Sequence, residues 1–460
     1  MRILEDLCRP SRCDKECVEA CIEIHGEDSP LTFPDNAKFP IIVSGCTDCL
    51  SCIRACPFGA ITTVCKEESL EYTRTVQAAR KDLAYSRPYE VSESYSRFSE
   101  KDMVFARVHN DSTFEHFGKD EWYGSEAMIA KRIPGYGRLE REIAGAGWEL
   151  YDNRQSVTGP LLNDASQRIG GTPTVGSNPE DLTLATKRAA RLYGASLVGV
   201  AALDPNWLYT ADRKGMSYSI PDTYTRAIVM AVELDYEGIS TSPAFPASAA
   251  VAVGYSMMAF AEIELTAFIR RLGYGAIPCG NDIALSVPLA IDAGLGQYGR
   301  HGILITKEFG PRVRIAKVLT NMPLVPDRPD QGFCEAVIRF CETCEKCADH
   351  CPSKSIPKGR ARSWNGETIS NNQGVKKWYV NPETCYGFWM DNGSDCSNCI
   401  RSCPYNKKDG LLHRSILWIV RRFPWMNRVI LMFDDLLGYG KQREPGTLWR
   451  KYGYPSTITQ

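Results

Sequence analysis

Cys341-Glu342-Thr343-Cys344-Glu345-Lys346-Cys347-Ala348-Asp349-His350-Cys351-Pro352 is the stretch on which the reading of this chain turns. Its C-x2-C-x2-C-x3-C-P spacing wraps three thiolates around one [4Fe-4S] cubane and sends the fourth to a neighbouring cluster in two-cluster proteins. A second run, Cys385 with Cys396, Cys399 and Cys403-Pro404, keeps the C-x2-C-x3-C-P ending behind a stretched first gap. With the fourth cysteines exchanged, Cys341, Cys344, Cys347 and Cys403 hold one cluster, and Cys351, Cys385, Cys396 and Cys399 hold the other. Residues 331–410 thus read as a ferredoxin-like domain.

Working outward, the N-terminal region repeats the arrangement. Cys8, Cys13, Cys17 and Cys21 are followed by Cys46-x2-Cys49-x2-Cys52-x3-Cys56-Pro57, so residues 1–66 read as a second two-cluster module. Its first half resembles the N-terminal iron-sulfur domain of the ribosome-recycling ABC ATPases. Ile22 stands where that pattern has Pro and no Walker A motif follows, so only cluster binding is implied. Of the 19 cysteines, Cys65, Cys279 and Cys334 fall outside these runs and read as small buried hydrophobes. Thiolate quartets also suit structural zinc. Two runs in the full cubane form, each with a partner run, favour iron-sulfur clusters.

The 460 residues are 43% hydrophobic and 24% charged, which makes a folded chain of several domains. Lys and Arg number 54 against 55 Asp and Glu, with no basic run, and this argues against a nucleic-acid partner. The uncharged stretch 238–261 is broken by Pro243 and Pro246 and reads as a loop entering a buried helix, not a membrane span. Cys8 arrives so early that no export signal precedes it, and the expected location is the cytoplasm, where thiols stay reduced.

Between the cysteine modules the chain changes character. Residues 67–125 are polar and irregular, a linker or wrapping arm; 126–330 form the core. A helix is expected over 181–192, strands over 196–201 and 226–232, and a helix over 247–272 that carries Tyr255. Residues 302–305 and 313–318 read as a hairpin turned by Phe309-Gly310-Pro311. Helices and strands mix, giving an α+β or α/β class. Residues 411–437 could form an amphipathic membrane-surface or partner helix, but Pro424 interrupts them and the favoured reading is a helix pair packed on the core, within an extension spanning 411–460; membrane association is not favoured.

Several core segments then carry a family resemblance. Glu180-Asp181-Leu182, Leu197-Val198-Gly199-Val200-Ala201, Ala276-Ile277-Pro278, Ala293-Gly294-Leu295-Gly296-Gln297, Phe309-Gly310-Pro311, Thr320-Asn321-Met322-Pro323-Leu324 and Asp434-Asp435-Leu436-Leu437-Gly438-Tyr439-Gly440 resemble the cobalamin-dependent reductive dehalogenases. The match spans residues 126–450 and leaves out the N-terminal module. It implies a nitroreductase-like α+β core holding a base-off corrinoid, since no Asp-x-His-x-x-Gly motif is present, with two C-terminal clusters relaying electrons to it. Tyr255 falls where the family's proton donor lies, Asn281 where a polar neighbour contacts it, and Arg314 completes the set. Gly294, Gly296, Gln297, Phe309 and Gly310 fall at cofactor-binding positions. A phenol is a weak acid at neutral pH, and a permanent guanidinium charge stabilises the phenolate left behind.

The implied reaction is reductive cleavage of a carbon-halogen bond of an organohalide. Low-potential electrons come from a donor such as ferredoxin or flavodoxin, with the N-terminal module acting as a tethered donor. Two rivals stand beside it: an epoxyqueuosine reductase-like enzyme acting on transfer RNA, and a non-catalytic electron carrier.

Overall fold

The computed structural model describes residues 87–157 and 178–453 apart from residue 409, and in the N-terminal region most of 2–42 with residues 52, 55, 56, 61 and 62. Cys46, Cys49 and Cys65 lie outside the described residues. The chain divides into two compact units, Met1–Leu83 and Ala84–Gln460.

The first unit contains helix α1 (Glu16–His25) and two short antiparallel strand pairs, Leu31–Thr32 with Ile41–Ile42 and Arg2–Ile3 with Ile61–Thr62. Cys17 and Cys21, one turn apart on α1, point to the same side, because residues i and i+4 share a helix face. They pack with Cys52, Leu31 and Ile61, so much of this small core consists of the cysteines themselves.

In the second unit, an antiparallel sheet of four strands is ordered β1-β2-β4-β3: β1 (Leu197–Ala202), β2 (Arg226–Glu233), β3 (Ala276–Cys279) and β4 (Val313–Thr320). β2 is almost unbroken in its apolar character because both faces are covered. Ala227, Val229 and Ala231 join one apolar cluster, while Ile228, Met230 and Val232 join the other. The period of two along a strand makes that division. One face takes α3 (Pro179–Leu192) and the long α4 (Phe245–Arg271), beside which runs α2 (Arg138–Gly147); the other takes α5 (Ser286–Asp292). α4 is the one described helix long and apolar enough to cross a membrane, and Met258, Leu265 and Ile269 on it are fully buried against the sheet.

Two local expectations meet different outcomes. The helix at 181–192 starts two residues earlier, at Pro179, where the Asn178 side chain accepts from Glu180 N and closes the N-terminus. The hairpin of 302–305 with 313–318 does not form. β4 pairs with β2 and β3, while Leu304–Ile305 pairs with Gln297–Tyr298. The turn signal is genuine, since Thr306 and Gly310 exchange backbone hydrogen bonds, but a continuous apolar strand such as β4 needs neighbours on both edges.

Residues 87–125 run along the second unit. Tyr89 donates to Asp292 Oδ1 at 2.7 Å, Arg97 donates to the carbonyls of Leu208 and Tyr209 at 2.9 and 2.7 Å, and Val91 bridges to Val375. The polar composition of this segment supplies these anchors. The cysteine-rich region follows α6 (Gln331–Thr343) and includes α7 (Pro382–Asn392); α8 (Leu411–Arg422) and α9 (Asn427–Leu436) come after it. All of these belong to the same compact unit as the sheet.

Candidate active site

Strand alternation puts Arg314 on the face of β4 that α4 covers, the face it shares with Ala316 and Val318. Tyr255 projects from α4 toward it. Gly254 permits the approach, since a Cβ there would lie 2.1 Å from Leu234 Cδ2 and 3.5 Å from Arg314 Cγ. Asn281 follows the end of β3. Its Nδ2 donates to the Tyr255 hydroxyl oxygen at 3.2 Å, and the Arg314 guanidinium lies 4.8 Å from the centre of the Tyr255 ring. The three residues nominated from sequence therefore converge.

Sequence reading missed the surrounding wall. Trp148 stacks on Tyr255 at 4.7 Å and Tyr151 leans on it at 4.9 Å, while Arg154 lies 3.8 Å over Tyr151 and 3.7 Å from Asp282. The i, i+3, i+6 spacing of Trp148, Tyr151 and Arg154 was the available signal. Under Asn281, buried Glu262 lies against Gly280, where a Cβ would stand 3.5 Å from both carboxylate oxygens. Burial pushes the Glu262 carboxyl well above the usual carboxylate range, assisted by Asp282 and opposed by Arg154 and Lys317.

The cysteines sort themselves by which thiols repel which. Burial, then Cys341, raises Cys344 to about 12; burial, then Cys341, Cys403, Cys344 and Cys399, raises Cys347 further. Burial, then Cys399 and Cys351, raises Cys385 to about 12, and Cys396 is raised by burial and by Cys399 and Cys385. Apart from Cys399 beside Cys347, these neighbours fall into Cys341, Cys344, Cys347, Cys403 and Cys351, Cys385, Cys396, Cys399, the grouping that an exchange of the fourth cysteines would give. In the first unit, burial and then Cys56, Cys13 and Cys8 raise Cys17 to about 11, again with the last cysteine of one run beside the first three of another. Thiols crowded in this way keep their protons unless a cationic centre binds them as thiolates, so the donor sets fit iron-sulfur clusters.

Arg300, fully buried, pins the first of the C-terminal quartets. It donates to the carbonyls of Cys344, Cys341, Pro357 and Gly359 at 3.0, 2.6, 3.0 and 2.6 Å and stacks 4.8 Å over Trp378. The charge of Arg314 bears on both Asp395 and Cys399, so the Tyr255 site adjoins the second quartet.

Two cluster-binding models match the chain: a 4Fe-4S double cluster binding domain over residues 340–406 and a 4Fe-4S binding domain over 39–62. The tetrachloroethene reductive dehalogenase of Sulfurospirillum multivorans is 36% identical over 367 residues, covering 70% of this chain and 72% of that enzyme. The chain belongs to the reductive dehalogenase family. The tetrachloroethene reductive dehalogenase of Desulfitobacterium hafniense is 36% identical over 308 residues, 58% of this chain and 55% of that protein. A solved reductive dehalogenase, described for B12-dependent dehalogenation, shares the fold at TM-score 0.58 and 21% identity, with 88% of this chain and 56% of that one aligned.

Within this reductive dehalogenase chain, the five residues nominated at cofactor positions sit away from Tyr255 in chain and contacts. Gly294 has φ +78°, and a Cβ there would meet Arg328 O at 2.7 Å; Cβ atoms at Gly296 and Gly310 would meet Ile305 O and Tyr405 O at 2.1 and 2.3 Å. Gln297 donates from Nε2 to Pro88 O at 2.8 Å and accepts from Tyr298 N at 2.7 Å, and Phe309 packs on the apolar cluster of the α5 face. Among the described residues, no hydrogen bond or ring contact joins these five to Tyr255. At the site itself, Arg314 Nε is buried without a hydrogen-bond partner, a free donor between the phenol and the second quartet. That unused donor, with the aromatic wall, fits a large polar-edged cofactor seated between Tyr255 and the quartet.

Proposed function

We propose that this chain cleaves the carbon-halogen bond of an organohalide reductively, with two electrons and one proton consumed and halide released. The observation that carries the reading is the Asn281–Tyr255–Arg314 contact set beside the Cys399 quartet. A corrinoid held in a nitroreductase-like core between Tyr255 and that quartet supplies, when bound, the low-potential metal centre at which electrons meet the substrate. Arg314 would hold its polar edge through Nε, and Trp148 and Tyr151 keep the phenol fixed and water away.

The proton side of the reaction belongs to the chain. Asn281 donates to the phenol oxygen, which leaves the Tyr255 O–H free to point at the substrate carbon. As the halide leaves with the bonding electron pair, Tyr255 gives its proton to that carbon. The phenolate that remains is stabilised by the Asn281 N–H and the fixed charge of Arg314, and is reprotonated from solvent. Electrons reach the site through the Cys341 quartet and then the Cys351 quartet, delivered by a ferredoxin or flavodoxin class of donor. The N-terminal clusters serve as a tethered donor whose linkage raises local concentration.

Tyr255→Phe tests the assignment by halide release from a chlorinated alkene. Loss of about 100- to 10,000-fold in turnover, with iron and corrinoid content unchanged, is expected for removal of a general acid. Full activity in that variant would remove Tyr255 from the mechanism.

A further inference from the structure

The C-terminal helices are apolar on two sides, and only one side is used. Inward, Ile416, Leu417, Val420, Ile430 and Leu431 pack on Phe333, Phe340 and Tyr405, and Asp434 is tied to Lys346 at 2.5 Å and Lys407 at 2.7 Å, which fixes α9 to the cluster region. Outward, Leu412, Trp418, Trp425, Met432, Leu436 and Leu437 face solvent, with Trp425 74% and Leu436 75% exposed. Large apolar side chains gathered on the outer side of a helix pair mark a surface that the fold does not itself cover. A cavity of about 540 Å³, lined by Tyr405, Ile416, Val420, Ile430 and Phe433 among others, lies beneath the same helices.

Charge decides what covers the face. Between Tyr405 and Gly453 the sequence carries ten Lys and Arg against four Asp and Glu, in a chain of formal charge -1 overall. Arg421 is committed to Asp330, at 2.9 and 3.0 Å, and Lys408 and Arg443 to Glu237. Arg422, Arg428 and Lys441 are exposed and make no ion pair among the described residues. A second copy meeting this face across a two-fold axis would bring those cations against themselves. Exposed indoles and leucines interleaved with unpaired cations match the boundary between acyl chains and anionic headgroups. Helices of 12 and 10 residues, interrupted at Pro424, are too short to span a bilayer, so they would lie in its surface.

We propose that the α8–α9 pair docks this chain peripherally on an anionic lipid bilayer, with Trp418 and Trp425 at the acyl-headgroup boundary and Arg422, Arg428 and Lys441 against the headgroups. The test is co-sedimentation of the full, cluster-loaded chain with vesicles of two parts phosphatidylcholine to one part phosphatidylglycerol, compared with phosphatidylcholine alone. The chain should pellet with the first and remain largely in solution with the second. Trp418→Ser with Trp425→Ser should lower partitioning by about tenfold or more. Arg422→Gln with Arg428→Gln should lower it by about fivefold per charge, with binding more resistant to salt thereafter. Both variants should keep turnover with a soluble reductant, since neither pair lies at Tyr255 or the quartets. Equal recovery with and without vesicles would overturn the proposal. So would binding only to vesicles that carry an integral membrane protein, or a vesicle-free dimer that the tryptophan variant dissolves, which would assign the face to a protein partner or to a second copy.

Discussion

The two cysteine-rich regions use the same ligand spacing in opposite structural settings. In the C-terminal region Cys341, Cys344 and Cys403 pack among Phe333, Phe340, Trp378 and Tyr405, so the cluster ligands are embedded in a core that has apolar mass of its own. Among the described residues of the N-terminal unit the apolar cluster is built from Cys17, Cys21, Cys52, Leu31 and Ile61, and Cys8, Cys13 and Cys56 are only half-buried. One region holds its clusters in a finished fold. In the other, the described apolar cluster is largely the cysteines themselves, as expected of small units that lean on their metal centres for stability.

The sharpest way to break this comparison is to remove one ligand or module from each side. Cys347→Ser should take dehalogenation to background with every reductant, because the relay to the site is cut inside the core. Deleting residues 1–66 should slow turnover severalfold with a ferredoxin-class donor and leave it unchanged with a small-molecule reductant. Unchanged rates with both donors would remove the N-terminal clusters from the relay.

Iron chelation should separate the regions next. Limited proteolysis of the chelated protein is expected to cut throughout residues 1–83 while a fragment covering the sheet and α2 to α5 survives, since those elements bury two apolar clusters that contain no ligand cysteine. Simultaneous loss of both regions would show that the C-terminal clusters also hold the sheet together.

Arg300→Met probes how the C-terminal loops are held. Four carbonyls would lose a fully buried donor, and a fall in stability of about 3 kcal/mol or more is expected by thermal unfolding. The smallest effect comes from acid. Burial holds His301 at about 3, so the unfolded ring, near 6.5, takes up its proton first, and stability drains away as pH falls below about 6.5. His301→Gln should flatten that slope by at most about 1.4 kcal/mol per pH unit, measured between pH 6.5 and 5 as the difference from the unsubstituted chain.

The quartets were legible because cluster ligation is written in local spacing, and the exchange of the fourth cysteines follows from the same pattern. The strands β1 and β2 and the helix α4 were legible from apolar runs and their breaks. The site was legible only through resemblance: Asn281 and Arg314 approach Tyr255 from β3 and β4, and no local pattern announces a contact across 26 residues of sequence. Trp148 and Tyr151 escaped notice because an aromatic pair three residues apart reads equally well as ordinary packing. The false hairpin arose from giving a true turn at Thr306–Gly310 the power to pair strands, when Gly310 is held instead against Tyr405.

The exchanged quartets have a consequence for how the protein is made. Cys351 and Cys403 each close a site begun by the other run, and Arg300, supplied from the core, clasps the carbonyls of Cys341 and Cys344 once those loops are in place. The Cys351 quartet is complete once residue 399 has been synthesised and the Cys341 quartet only at residue 403, and the Cys341 quartet lies behind packed side chains afterwards. Cofactor insertion therefore has a window in time, opening late in translation and closing as the core consolidates. A chain that collapses first would be closed to the cluster, so the yield of loaded protein is expected to depend on iron delivery during folding.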